Sequence, residues 1–171
     1  MSDVVVGILM GSDSDWPVMR ETVAVLKELG IAAEATVLSA HRTPERVSAY
    51  ARAAQERGIK ILIAGAGCAA HLAGALAASS SLPVIGVPLA SGELNGVDAL
   101  YATVQMPPGV PVATMAIGKA GARNAGIFAA QILATSDPGV RQALDKFRER
   151  MKKSVTEKAA KVEREAKEMQ S

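Results

Sequence analysis

The residues Val4-Val5-Val6-Gly7-Ile8-Leu9-Met10 form an unbroken apolar run, and the run stops at Gly11-Ser12-Asp13-Ser14-Asp15-Trp16-Pro17. A strand with one wet face alternates apolar and polar residues, whereas an unbroken run reads as a strand buried on both faces, the pattern of a parallel sheet. The polar stretch behind it combines a flexible glycine, two hydroxyls, two carboxylates and a proline suited to a first helical turn. Amides exposed at such a helix start bind anions, each favourable charge contributing about 0.3–1 kcal/mol. Ser12 can join them, and Asp15 can accept hydrogen bonds from sugar hydroxyls; the plainer alternative is that Ser14 or Asp15 only caps the helix. The stretch is neither the glycine-rich dinucleotide fingerprint nor a P-loop, because it lacks the glycine spacing of the first and the lysine of the second.

Outward from this unit the pattern repeats. Met19, Val23 and Leu26 recur at helical spacing from Val18 to Leu29, and Gly30 ends the helix. A second strand is predicted over about Ile31 to Leu38, delivering Ser39, His41 and Arg42, with Thr43 as N-cap and Pro44 as first helical residue. Val47, Tyr50, Ala51 and Ala54 face inward along that helix, which Gly58 ends. A third strand spans Ile59 to Ala64 and exits into Gly65-Ala66-Gly67-Cys68-Ala69-Ala70-His71-Leu72-Ala73-Gly74, where nearly every side chain is small. Small residues let backbone amides approach a ligand and can shape a dry pocket; tight helix-on-sheet packing is the alternative, and His71 taken alone suits a structural role equally. Val84 to Pro88 reads as a fourth strand, Leu89 to Gly96 as a loop and Val97 to Gln105 as a short helix. Met106 to Pro111, with three prolines, is an irregular connection. Val112 to Ile117 supplies a fifth strand and Lys119 to Thr135 a small-residue helix.

Beyond Pro138, Leu144, Phe147, Met151, Val155, Ala159, Val162, Ala166 and Met169 recur every three or four residues among lysines and glutamates. Such a stripe exceeds what one small domain can cover, so the helix, 138–168, is predicted to pack partly on a neighbouring copy, with the last dozen residues frayed. The 171 residues read as a single domain with its core in 1–137. Strands alternating with helices give a doubly wound, flavodoxin-like α/β fold with a five-stranded parallel sheet and a long C-terminal helix. Ligands in such folds sit outside the carboxyl ends of the strands, so Ser12, Asp15, Ser39, His41, Arg42, Gly65, Gly67 and His71 are expected to converge.

Composition narrows the function classes. Hydrophobic residues make up 49% of the chain, which excludes a disordered protein, and aromatics only 3%, so the core rests on aliphatic and alanine packing. With 19 basic and 17 acidic residues the formal charge is +2, which implies neither a nucleic-acid nor a membrane partner. A single cysteine, Cys68, allows no internal disulfide, and no secretory signal or membrane-spanning run is present. A cytoplasmic enzyme or binding protein fits best. His41 beside Arg42 then suggests proton transfer on an anionic substrate, since an imidazole exchanges protons near neutrality and a guanidinium holds phosphate or carboxylate.

Gly11-Ser12 with Ser14-Asp15, Ser39 through Pro44, and Gly65-Ala66-Gly67 with Ala69-Ala70-His71-Leu72 and Gly74 together resemble the class I N5-carboxyaminoimidazole ribonucleotide mutases of purine synthesis, the PurE family. Gly86-Val87-Pro88, Val104-Gln105-Met106-Pro107 and Ala116-Ile117-Gly118-Lys119-Ala120-Gly121 extend the likeness over roughly residues 4 to 135. Two residues depart from the family pattern: Cys68 stands where glycine is usual and Ala73 where proline is. The resemblance implies an isomerase, needing no metal or organic cofactor, that moves a carboxyl group from an exocyclic nitrogen to carbon 4 of the imidazole ring. It implies that Ser12, Ser39 and Arg42 hold the phosphate, Asp15 the ribose, and the backbone from Gly65, Ala66 and Gly67 to Ala70 the reacting carboxyl group, with His71 also among the substrate-binding residues. His41 becomes the general acid/base, and the assembly a homo-oligomer, typically an octamer. The related aminoimidazole ribonucleotide carboxylases, which use CO2 directly, generally carry lysine after the loop histidine and lack Ala-Ala-His-Leu, so Arg42 and His71 favour the mutases. A non-catalytic nucleotide- or flavin-binding module is the alternative from another class.

Overall fold

The computed structural model describes residues 4–169, so the ends of the 1–171 range and the last two of the final dozen residues lie outside the described residues. Five parallel strands stand in the order β2-β1-β3-β4-β5: β1 Val6–Met10, β2 Ala33–Val37, β3 Ile61–Gly67, β4 Val84–Leu89 and β5 Ala113–Thr114. Among the described residues six α-helices join and flank them: α1 Trp16–Glu28, α2 Pro44–Ala53, α3 Leu72–Ser79, α4 Val97–Val104, α5 Lys119–Leu133 and α6 Pro138–Glu168. This is the doubly wound fold the unbroken apolar runs predict.

Side-chain alternation builds a core on each face of the sheet. Val6, Ile8, Met10, Ile61 and Ile63 point to the side covered by α1 and α5. Leu9, Leu62 and Ala64 point to the side of α2 and α3. Helices approach the sheet and each other closely because the residues between them are small. Gly126 in α5 faces Val25 and the Thr22 carbonyl of α1, and Thr22 Oγ1 donates to the Ala122 carbonyl at 2.7 Å across the same contact.

Several boundaries differ from the sequence reading. β3 continues through Gly65, Ala66 and Gly67, because Ala66 and Gly67 still pair with Pro88 and Leu89 of β4; three residues expected in the exit loop belong to the strand. β5 shrinks to two residues, because only Ala113 and Thr114 pair with β4. Val25 rather than Val23 is fully buried in α1.

Asp137 caps α6 by accepting from the Gly139 and Val140 amides. The first half of the helix docks through Leu144 and Phe147, whose ring lies 5.7 Å from the guanidinium carbons of both Arg123 and Arg150. Glu28 pairs with those two arginines at 3.1 and 2.9 Å. Beyond the docked part the helix continues unfrayed to Glu168, and the apolar stripe emerges into solvent, with Met151, Val155 and Val162 all more than half exposed. Among the described residues no helix is long and apolar enough to cross a membrane.

The start of α5 shows how little slack the fold allows. A Cβ on Gly121 would overlap the Ala116 carbonyl, a backbone atom that cannot rotate away. Gly121→Ala is therefore expected to lower the unfolding free energy by about 1–3 kcal/mol, measured by urea denaturation; an unchanged midpoint would show that the Ala116 segment yields freely.

Candidate active site

The exits of β1, β2, β3 and β4 enclose a cavity of about 470 Å³ lined by Ser12, Asp15, Ser39, His41, Arg42, Ala66, Gly67, His71 and Ser91 among others. That size suits a small-molecule ligand.

Each loop is locally fixed. At the β1 exit, Ser12 caps a 3-10 turn, Asp13–Asp15, and forms a capping box with Asp15: the Ser14 amide donates to Ser12 Oγ and the Ser12 amide donates to Asp15 Oδ2 at 3.1 Å. Asp15 therefore does cap, but through its bond to Ser12; at the start of α1 itself its side chain makes no cap hydrogen bond. Burial raises the Asp15 carboxyl above its ordinary 3.8, and the charge of Asp13 adds to this. The Ser12 and Gly11 amides and the Arg42 charge oppose the rise without cancelling it.

At the β2 exit, Thr43 occupies the N-cap position of α2, but its side chain does not cap the helix. It turns back instead, accepting from the Ser39 amide and donating to the Ser39 carbonyl, both at 3.1 Å. The Thr43 amide also donates to the Ser39 carbonyl at 2.9 Å, which closes a turn with Ala40, His41 and Arg42 at its apex. Arg42 Nη2 donates to the Gly11 carbonyl at 2.7 Å and Nε to Ser39 Oγ at 3.4 Å, tying the first two loops together. Its Nη1 makes no hydrogen bond among the described residues and keeps donor capacity for an anion.

His71 precedes α3 at the β3 exit, and its Nδ1 lies 2.8 Å from His41 Nε2 with the rings edge to face, 79° apart. One nitrogen of that contact donates and the other accepts, so the tautomers of the two rings are coupled. Ala66, Gly67 and Ala69 add a wall of small residues beside them. The structure thus brings together Ser12, Asp15, Ser39, His41, Arg42, Ala66, Gly67 and His71.

Gly65 and Ala70 stand apart. Gly65 is buried against Met19 of α1, whose side chain fills the space a Cβ would need. Ala70 is 1% exposed and does not line the cavity. Sequence reading missed Ser91, which lines the cavity from the exit of β4. The rule that pointed to the first three exits applies to the fourth, and Ser91-Gly92 was the available signal. Cys68 has φ +51°, a left-handed conformation that costs a non-glycine residue about 1–2 kcal/mol, which explains why glycine is usual there in the family it resembles. Among the described residues no group of three or more His, Cys, Asp or Glu side chains is placed to hold a metal ion.

Comparison with known proteins finds relatives over most of the chain. The sequence profile of the family described as AIR carboxylase matches residues 5–154. An N5-carboxyaminoimidazole ribonucleotide mutase of Thermotoga maritima is 54% identical over 158 residues, covering 92% of this chain and 91% of that protein. One of Bacillus subtilis is 57% identical over 152 residues, covering 89% and 94%. A crystal structure of Treponema denticola PurE superimposes with a TM-score of 0.83 at 27% identity, covering 92% of this chain and 97% of that one.

The raised Asp15 carboxyl makes a signed prediction. A folded-state pKa above the unfolded value favours folding at low pH and loses that contribution as pH rises through the folded value. Asp15→Asn removes the charge while keeping an acceptor for the Ser12 amide. It is expected to be more stable than wild type at neutral pH, with the difference vanishing in acid; urea denaturation at several pH values measures this, and a difference constant with pH rules it out.

Proposed function

The chain belongs to the AIR carboxylase family, and from that membership we infer that it is an isomerase of purine biosynthesis, converting N5-carboxyaminoimidazole ribonucleotide into 4-carboxy-5-aminoimidazole ribonucleotide. Mutase relatives more than half identical over nine-tenths of the chain support the assignment. The observation that carries the chemistry is the 2.8 Å contact between His41 and His71 inside the cavity.

The ribonucleotide lies with its phosphate at Ser12, Ser39 and Arg42 and its ribose hydroxyls at Asp15. The imidazole ring then reaches His41. The bond between the exocyclic nitrogen and the carboxyl carbon breaks, its electron pair stays on nitrogen, and His41 supplies the proton that nitrogen takes. Ala66 and Gly67 hold the freed CO2 in a space that excludes water, with Gly65 and Ala70 packed behind them. Carbon 4 attacks the trapped CO2, a carbon–carbon bond forms, and His41 removes the carbon 4 proton. His71 fixes the tautomer and orientation of His41 for both transfers. No metal or organic cofactor enters these steps, and a cytoplasmic location goes with a soluble ribonucleotide substrate.

The decisive assay follows product formation spectrophotometrically from freshly generated N5-carboxyaminoimidazole ribonucleotide, beside aminoimidazole ribonucleotide with excess bicarbonate. Fast conversion of the first alone is expected; efficient use of the second makes the chain a carboxylase, and no reaction with either returns it to a binding module. His41→Asn should keep the fold while turnover falls about 10²–10⁴-fold, and wild-type turnover in that variant removes His41 from the mechanism.

The exposed stripe of α6 supports a homo-oligomer, which we take to be the octamer typical of the family it resembles, with Met151, Val155 and Val162 packed on a neighbouring copy. Light scattering is expected to show an assembly that Val155→Lys with Val162→Lys weakens. A monomeric wild type at micromolar concentration, or a double variant of unchanged mass, sinks this reading.

A further inference from the structure

Along the carboxyl edge the strands run β2, β1, β3, β4. The groups suited to a phosphate and a ribose stand on the β1 and β2 exits, and the two histidines join β2 to β3. The far wall belongs to β4, and its one polar side chain lining the cavity is Ser91. Among the other residues at this end, Ala66, Gly67, Ala69 and Leu72 carry no side-chain donor.

Ser91 is built into that wall. A Cβ on Gly67 would overlap Ser91 Oγ, so the missing side chain of Gly67 is what admits the hydroxyl. The Ser91 amide donates to the Leu89 carbonyl at 3.0 Å, closing a tight turn at the strand end. Cys68 Sγ donates to the Ser91 carbonyl at 3.3 Å and lies 3.8 Å from its hydroxyl. The loop is held from two sides, while among the described residues the hydroxyl meets only a long contact to a weakly bonding sulfur and keeps its capacity to donate.

We propose that Ser91 holds the migrating carboxyl group, donating its hydroxyl hydrogen to one carboxyl oxygen; this assignment rests on the isomerase reading. With the phosphate anchored over β1 and β2, the substrate's reacting end extends over β3 toward β4, where Ser91 is the side-chain donor. Its hydrogen bond orients the carboxylate before the nitrogen–carbon bond breaks and receives a carboxylate oxygen again once the carbon–carbon bond forms. Bonds to a charged carboxylate are stronger than bonds to neutral CO2, so the hydroxyl favours recapture over escape. Specificity follows too, since a substrate lacking the carboxyl group leaves the donor unmatched.

Ser91→Ala tests this through three readouts taken with N5-carboxyaminoimidazole ribonucleotide: kcat, KM, and the ratio of free aminoimidazole ribonucleotide to isomerised product. A KM raised by about 10- to 100-fold with kcat changed far less is expected, together with a raised leak ratio. Ser91→Thr, which keeps the hydroxyl, should restore retention, whereas Gly67→Ala, which fills the hydroxyl's place, should leak like Ser91→Ala. Wild-type KM and leak ratio in Ser91→Ala overturn the assignment while leaving the isomerase reading intact, as does a Ser91→Thr variant that leaks as much as Ser91→Ala. A wild type unable to convert the substrate overturns both, and that result shows before any variant is made.

Discussion

Helices on both faces of the sheet, with a strand on either side of β1 and β3, leave the side chains of these two strands no path to water: Val6–Met10 are all buried, as are Ile61 to Gly65. A polar side chain within either strand would lose its hydration without a partner to replace it. Hydroxyls, carboxylates and imidazoles are therefore displaced to the points where the chain leaves the sheet. Because the strands are parallel, those points share one edge, and four loops with no sequence proximity meet around one cavity.

What holds that edge in place is a set of missing side chains. Met19 sits where Gly65 has none, Ser91 where Gly67 has none, and Thr103 and Val112 where Gly86 has none. Each contact locks a strand to the element above it with little room for repacking. A core almost without aromatic rings has no large flat surfaces along which helices could slide. The His41–His71 contact requires such rigidity, because a drift of about one ångström would break a 2.8 Å hydrogen bond between rings carried on separate loops.

The strands, the helices and most of the cavity's lining could be read from the chain because the signals were local: apolar runs, polar residues after the first two, and a proline close behind each of those. What escaped depended on partners distant in sequence. Nothing near Gly65 indicates that Met19 claims its open face, and nothing near Ala66 indicates that Pro88 extends β3 beyond its apolar run. Thr43 was placed correctly as a helix boundary, yet its hydroxyl serves Ser39, since a closed turn competes successfully for the same side chain. Ser91 escaped because its loop carries no histidine or arginine to mark it, and its placement becomes meaningful only beside Gly67.

The His41–His71 contact joins these strands of reasoning. His41 follows β2 and His71 follows β3, and in the sheet those strands flank β1 on opposite sides. The rings therefore reach toward each other across the end of β1, where Gly11 offers no side chain and its carbonyl is claimed by Arg42. Were β2 shifted by one residue against β1, every β2 side chain would change faces and the Ser39–Thr43 turn would leave the edge. The hydrogen bond between the imidazoles can form only in the register that buries the sheet. In this fold, packing the core and aligning the two histidines are a single requirement on the chain.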